Sequence, residues 1–148
     1  MIQRSVWPIG VIAFLLAALM LVPGIEPIQA QPNARVQIAH LAPFADAIGA
    51  TSVSVSANGT EVLSDFTFGE TSDYLELAAG ENQIAITPTG ATTPAITATV
   101  NLVAGEDYTA AAIGDGPNQD LELLALADDN SAPSAGNAKV RIVHTAPF

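Results

Sequence analysis

Two histidines and a scatter of acids are the residues best placed to do chemistry. His40 ends an apolar alternation with Val36 and Ile38, and His144 stands in the same relation to Val140 and Ile142. An imidazole with Asp46 nearby in sequence suggests acid/base transfer, which depends on the two groups meeting in space. Strand parity instead sets His40 beside core positions, where a histidine ties the strand end to the following turn by a hydrogen bond. Asp115, Asn118 and Asp120 share one predicted loop, and Asp128-Asp129-Asn130 another, offering some of the oxygens calcium needs but not EF-hand spacing. They read as solvated turns. Glu106-Asp107 and Asp73 flank strands rather than forming a glycosidase pair. Ser52, Ser54 and Ser56 read as a solvated strand face, with no Gly-x-Ser-x-Gly elbow for a hydrolase. Tyr74 and Tyr108 could stack on a saccharide if both faced outward, but their apolar settings favour packing. No catalytic, cofactor-binding or metal site is assigned, and no cofactor is expected.

The composition narrows the field further. The chain has 148 residues, no cysteine, 4 Lys+Arg against 15 Asp+Glu, and a formal charge of -11. Nucleic acid is excluded as a partner, because phosphates need clustered cations and only Arg35, Lys139 and Arg141 follow Arg4. Anionic membrane surfaces are disfavoured for the same reason. Without cysteine there is no disulfide framework, thiolate metal site or thiol nucleophile. Hydrophobic residues at 49% argue against a disordered acidic chain.

Residues 1–30 have the order of a secretory signal. Arg4 precedes the uncharged run Ile9 to Val22, Pro23-Gly24 breaks it, and Ile28-Gln29-Ala30 ends on a small residue. Cleavage is placed between Ala30 and Gln31. The alternative is an N-terminal membrane anchor, but the 14 residues from Ile9 to Val22 fall short of the roughly 20 that span a bilayer. The expected location is secreted or cell surface, with a mature module that is not membrane-embedded.

Beyond Gln31 the pattern turns to short alternations. In the strand expected at Thr51–Ala57, Val53, Val55 and Ala57 oppose Ser52, Ser54 and Ser56, and Asn58-Gly59 then leads into Thr60–Leu63, a hairpin signal. Asn58-Gly59-Thr60 also matches the N-glycosylation pattern, and the turn explains it without host machinery. Further strands are expected at Arg35–His40, Tyr74–Leu77, Gln83–Thr87, Ala95–Val103, Tyr108–Ile113 and Leu121–Ala127. The last lacks strict alternation, but its Asp128-Asp129 ending would oppose a helix dipole. The spacing predicts an all-β fold, an antiparallel Ig-like or transthyretin-like β-sandwich after the signal segment.

Asn33–Phe44 recurs as Asn137–Phe148, with eight of twelve positions identical at an offset of 104 residues. The reading is a complete module at 31–130, a linker at 131–137 and the opening strand of a second repeat at 138–148. A fragment of a tandem protein is the leading explanation, and a strand that pairs with another subunit is the alternative.

These residues resemble the bacterial family known as domain of unknown function 4397. The likeness runs through Arg35-Val36-Gln37-Ile38-Ala39-His40 with Ala42-Pro43, Asn58-Gly59-Thr60-Glu61-Val62-Leu63 and Phe68-Gly69. It continues in Asp73-Tyr74-Leu75-Glu76-Leu77 with Ala79-Gly80, Ala104-Gly105-Glu106-Asp107-Tyr108-Thr109 and Leu121-Glu122-Leu123. The resemblance implies an exported β-rich module often found in tandem, and no catalytic residues. Family members often carry Asp directly after the opening proline, where this chain has Phe44 and then Asp46. The expectation is an exported noncatalytic module with an extracellular or envelope ligand and possible tandem-module contact. A calcium-dependent or carbohydrate-binding module is the alternative, and a hydrolase a more distant one.

Overall fold

The computed structural model describes residues 32–147. The expected signal segment, with cleavage expected between Ala30 and Gln31, lies outside the described residues.

Eight strands form two four-stranded sheets. They are β1 (Ala34–His40), β2 (Val53–Ala57), β3 (Thr60–Phe66), β4 (Leu75–Leu77), β5 (Gly80–Pro88), β6 (Ile96–Leu102), β7 (Asp107–Ile113) and β8 (Glu122–Asp128). One sheet runs β4-β1-β7-β8 and the other β3-β2-β5-β6. The fold is the expected all-β sandwich, the alternations between Arg35 and Ala127 becoming strands with one face inward. Val36, Ile38, Val53, Val55, Ile84, Ile86, Ala110 and Ala112 belong to the core. The Asn58-Gly59 turn takes φ of 52° and 80°, the left-handed pair that a two-residue hairpin requires.

Two departures from the expected pattern matter for function. Every pairing is antiparallel except β1 with β7, which run parallel with Ile38 opposite Ala110 and His40 opposite Ala112. The chains leaving β1 and β7 therefore emerge at the same end of the sheet. The segment that follows β3 returns along that end, where the His40 amide donates to the Glu70 carbonyl and Ala39 bridges Thr71. Secondly, β2 opens at Val53 because Ile48–Thr51 forms a 3₁₀ turn. Thr51 is buried, its hydroxyl donating to the Ile48 carbonyl at 2.6 Å and accepting from the Phe68 amide at 2.9 Å.

Asn82 is the polar residue set among the core isoleucines of β5, and it is 1% exposed. Its Oδ1 accepts from Asn58 Nδ2, and its own amide donates to the Ala78 and Gly80 carbonyls at 2.8 and 3.1 Å. Asn58 Oδ1 in turn accepts from the Gln83 amide, so the hairpin turn is stitched to the start of β5. Asn82→Ala removes every one of its side-chain hydrogen bonds and leaves the Ala78 and Gly80 carbonyls without that donor. A loss of about 2 kcal/mol is expected, read as a lower urea midpoint at unchanged slope.

Candidate functional site

His40 is a structural hub at the loop end of its sheet. It is 1% exposed. Nε2 donates to the Thr51 carbonyl at 2.8 Å, which leaves Nδ1 to accept from the Ala42 amide at 3.4 Å. Phe44 stacks on the ring at 5.8 Å, Phe66 lies tilted at 6.3 Å and Phe68 meets it edge-on at 6.4 Å. Burial pushes the imidazole below its ordinary value, against the Thr51 hydrogen bond and the attraction of Glu70. The residue thus ties the strand end to the turn at Thr51. Both ring nitrogens meet backbone atoms rather than Asp46, which is exposed in the loop after β1.

Around this hub stand the loops at 41–47, 67–70 and 114–121. Ile48 and Phe68 are exposed to 65% and 38%, and both connect to Thr51, through the Ile48 carbonyl and the Phe68 amide. Exposed Asp46 and Glu70 lie on the same segments, and exposed Asp120 on the loop after β7. Asp115 serves its own loop: one oxygen accepts from the Asn118 and Gln119 amides and the other from the Asn118 side chain at 2.5 Å. Those bonds, the Gln119 amide foremost, hold its carboxyl below the usual range. This is a turn acid with its lone pairs engaged by the protein.

The opposite end of the same sheet carries a polar network that the sequence did not reveal. The Arg35 guanidinium grips Asp107 with two parallel hydrogen bonds of 2.7 and 2.5 Å. Asn130 adds a third to Asp107 at 2.6 Å. Arg35 and then Asn130 hold the Asp107 carboxyl below the usual range. The guanidinium also lies 5.2 Å from the Tyr74 ring centroid. Tyr74 donates to Asp128 at 3.0 Å, and Thr109 to the same oxygen at 2.8 Å. Tyr108 faces the other way, packing against the core while its hydroxyl accepts from the Val103 amide. The two tyrosines therefore form no shared stacking platform. Among the described residues no group of three or more His, Asp or Glu side chains could hold a metal ion.

The sequence set Glu106-Asp107 at a strand flank and Asp128-Asp129-Asn130 in a separate loop. The strand register joins them, because Asp107 lies opposite Asp128 across β7 and β8 and beside Arg35 across β1 and β7. The readable signal was the alternation in Arg35–His40 and Tyr108–Ile113, which sets Arg35 and Asp107 on the parity opposite to the core.

Residues 138–147 repeat the sequence of β1 but form no strand. Val140 and Ile142 are 82% and 90% exposed, whereas their counterparts Val36 and Ile38 are 1% and 2%. A strand of this pattern becomes stable only where a sheet covers its apolar face. The segment instead returns over the sandwich. Arg141 donates to Asp128 at 2.8 Å and to the Ala127 carbonyl, and Lys139 pairs with Asp129 at 2.6 Å. An open cleft of about 620 Å³ lies between this segment and Tyr74, Thr109 and Leu126.

The sandwich, the recurrence of its opening sequence and these loop-borne features define a β-rich module whose family is recognisable. The family described as Domain of unknown function (DUF4397) matches residues 34–148, and the chain belongs to it. A comparison with curated proteins found no match. Among the described residues no helix is long and apolar enough to cross a membrane.

Proposed function

We propose that the chain is an exported, noncatalytic β-sandwich module that binds an extracellular or cell-envelope partner. The observation that carries this reading is the parallel pairing of β1 with β7, which sends the loops at 41–47 and 114–121 off one end of a rigid sheet. Loops gathered on such a scaffold are the usual place for recognition. With the 48–51 turn and the 67–70 segment beside them, they combine exposed apolar anchors, Ile48 and Phe68, with the acids Asp46, Glu70 and Asp120. Apolar anchors ringed by polar groups are the anatomy of a binding surface. The noncatalytic reading is supported by the use of His40, Asp107 and Asp115 in holding the fold. Export rests on the order of charge, apolar run and breaker in residues 1–30.

Retention of the purified chain on isolated envelopes of its host tests the reading. Saturable retention is expected, falling about tenfold or more in an Ile48→Ser, Asp46→Ser variant whose thermal unfolding is unchanged. Unsaturable retention, or retention indifferent to both substitutions, would overturn it.

A further inference from the structure

We propose that the outer face of the β4-β1-β7-β8 sheet is a docking surface for the opening segment of a following repeat, with Asp128 and Asp129 receiving its two basic side chains. The uncharged 131–137 stretch would then be a closed loop rather than a free spacer. It is pinned at one side by Asn130, which donates to Asp107 and Tyr74, and at the other by Lys139, which reaches Asp129 and Ser131.

Charge complementarity identifies the occupant. Of the three cations after Arg4, two lie in the segment 138–147, while the chain as a whole carries -11. The repeat itself shows how the contact arises. Lys139 stands where the first module has Arg35, and Arg141 where it has Gln37. Arg35 pairs inside its own sheet with Asp107, and Gln37 donates to the Ser72 carbonyl. In the second copy the same outward positions turn to the preceding module, and the exchange of glutamine for arginine supplies the ion pair with Asp128. Lys139 and the Ser131 hydrogen bonds hold the Asp129 carboxyl far below the usual range, in keeping with a contact that needs its charge.

The surface beneath is partly apolar, as a docking face requires. Ala39, Ala111 and Ile113 form a second buried cluster with Leu41 and Leu124, on the parity opposite to the main core. Leu126 lines the cleft together with Val140 and Val143. Farther along, Thr145, Ala146 and Pro147 enclose a smaller space of about 200 Å³ with Leu41, Pro43 and Phe68. The segment thus crosses the sheet from its acidic end toward its loop end.

Trypsin reads this contact directly, because the bonds after Lys139 and Arg141 are its substrates in the segment. In the purified full chain at low salt, cleavage at both bonds is expected about tenfold slower than in a synthetic peptide of residues 134–148. Mass spectrometry assigns each cut. The protection is expected to fade in about 1 M salt, where screening acts over about 3 Å, and at the Lys139 bond in Asp129→Asn. Cleavage at the peptide rate in the native chain would overturn the proposal. So would protection untouched by salt and by the substitution, since the acids would then not be the receptors. Protection that grows with protein concentration would overturn the contact within one chain and assign the segment to a second copy. Envelope retention is read through Ile48 and Asp46, which do not line the space that Thr145–Pro147 encloses, so either result can fail alone.

Discussion

Gly114→Ala is expected to destabilise the fold by about 3 kcal/mol or more, while Gly116→Ala, two residues away, costs about 1 kcal/mol. Both glycines have positive φ, 89° and 86°, so each substitution carries the strain of a left-handed backbone. Space separates them. A Cβ on Gly114 would lie 2.1 Å from the Asp120 carbonyl oxygen and 2.9 Å from that of Gln119, whereas one on Gly116 meets nothing within 4 Å. A backbone carbonyl cannot rotate away as a flexible side chain can. Relief would require the 114–121 loop to open, against the hydrogen bonds from the Asp115 and Gly116 amides to Gln119 and the Asp115 carboxylate on Asn118 and Gln119. Urea unfolding of the two variants measures the difference. Equal losses would show that the close approach to Asp120 does not exist in solution. The same loop belongs to the proposed binding end, so Gly114→Ala should weaken envelope retention beyond what its stability loss alone explains.

The strands themselves were legible because their information is local. Alternation with period two, cut by Asn58-Gly59, Gly90 and Gly105, locates an element wherever one face is buried and the other wet. Pairing is a different kind of information. Nothing near Arg35 announces that its neighbour is Asp107, 72 residues on, or that β1 and β7 run parallel. The short spacings between strands favoured antiparallel hairpins, which describes β2–β3, β5–β6 and β7–β8, whereas β1–β4 and β2–β5 are antiparallel across intervening strands and β1–β7 is parallel. The parallel pair in turn decides which loops share an end, so the candidate binding end was hidden although each loop in it was visible. Asn82 escaped for a related reason: the expected strand began at Gln83, and a polar residue at its edge looked like turn material. In the structure the strand starts at Gly80 and buries Asn82 with its hydrogen bonds satisfied. The repeat shows the limit from the other side. Ala138–His144 has the pattern of Ala34–His40 at every core-facing position, yet only the first copy is a strand. Pattern sets which face a segment would bury, and neighbours decide whether it does.

His40→Ala is expected to cost about 3 kcal/mol and to remove a pH dependence near neutrality. The loss has two sources. The ring fills space among Phe44, Phe66 and Phe68, so truncation leaves a cavity that aromatic neighbours close incompletely. The Thr51 carbonyl loses its donor, and Thr51 also fixes Phe68 and the Ile48 turn. His40→Phe separates the two effects, since it restores most of the volume but no donor, and its loss should be the smaller. The pH argument follows from the direction of the shift. Burial lowers the folded-state value of His40 below 6.5, with Glu70 and the Thr51 carbonyl opposing it only in part. The unfolded chain then binds a proton that the folded chain refuses, so the contribution of the neutral ring is complete above pH 6.5 and is lost as the pH falls from there toward the folded-state value. The depressed carboxyls of Asp107, Asp115 and Asp129 act in a lower window, their contribution disappearing as the pH falls below 3.8. Denaturant midpoints between about pH 8 and pH 5 should therefore fall in the native chain and fall less in His40→Phe. Equal slopes in the two proteins would mean that His40 is solvated in the folded state, and the hub at the loop end would have to be abandoned.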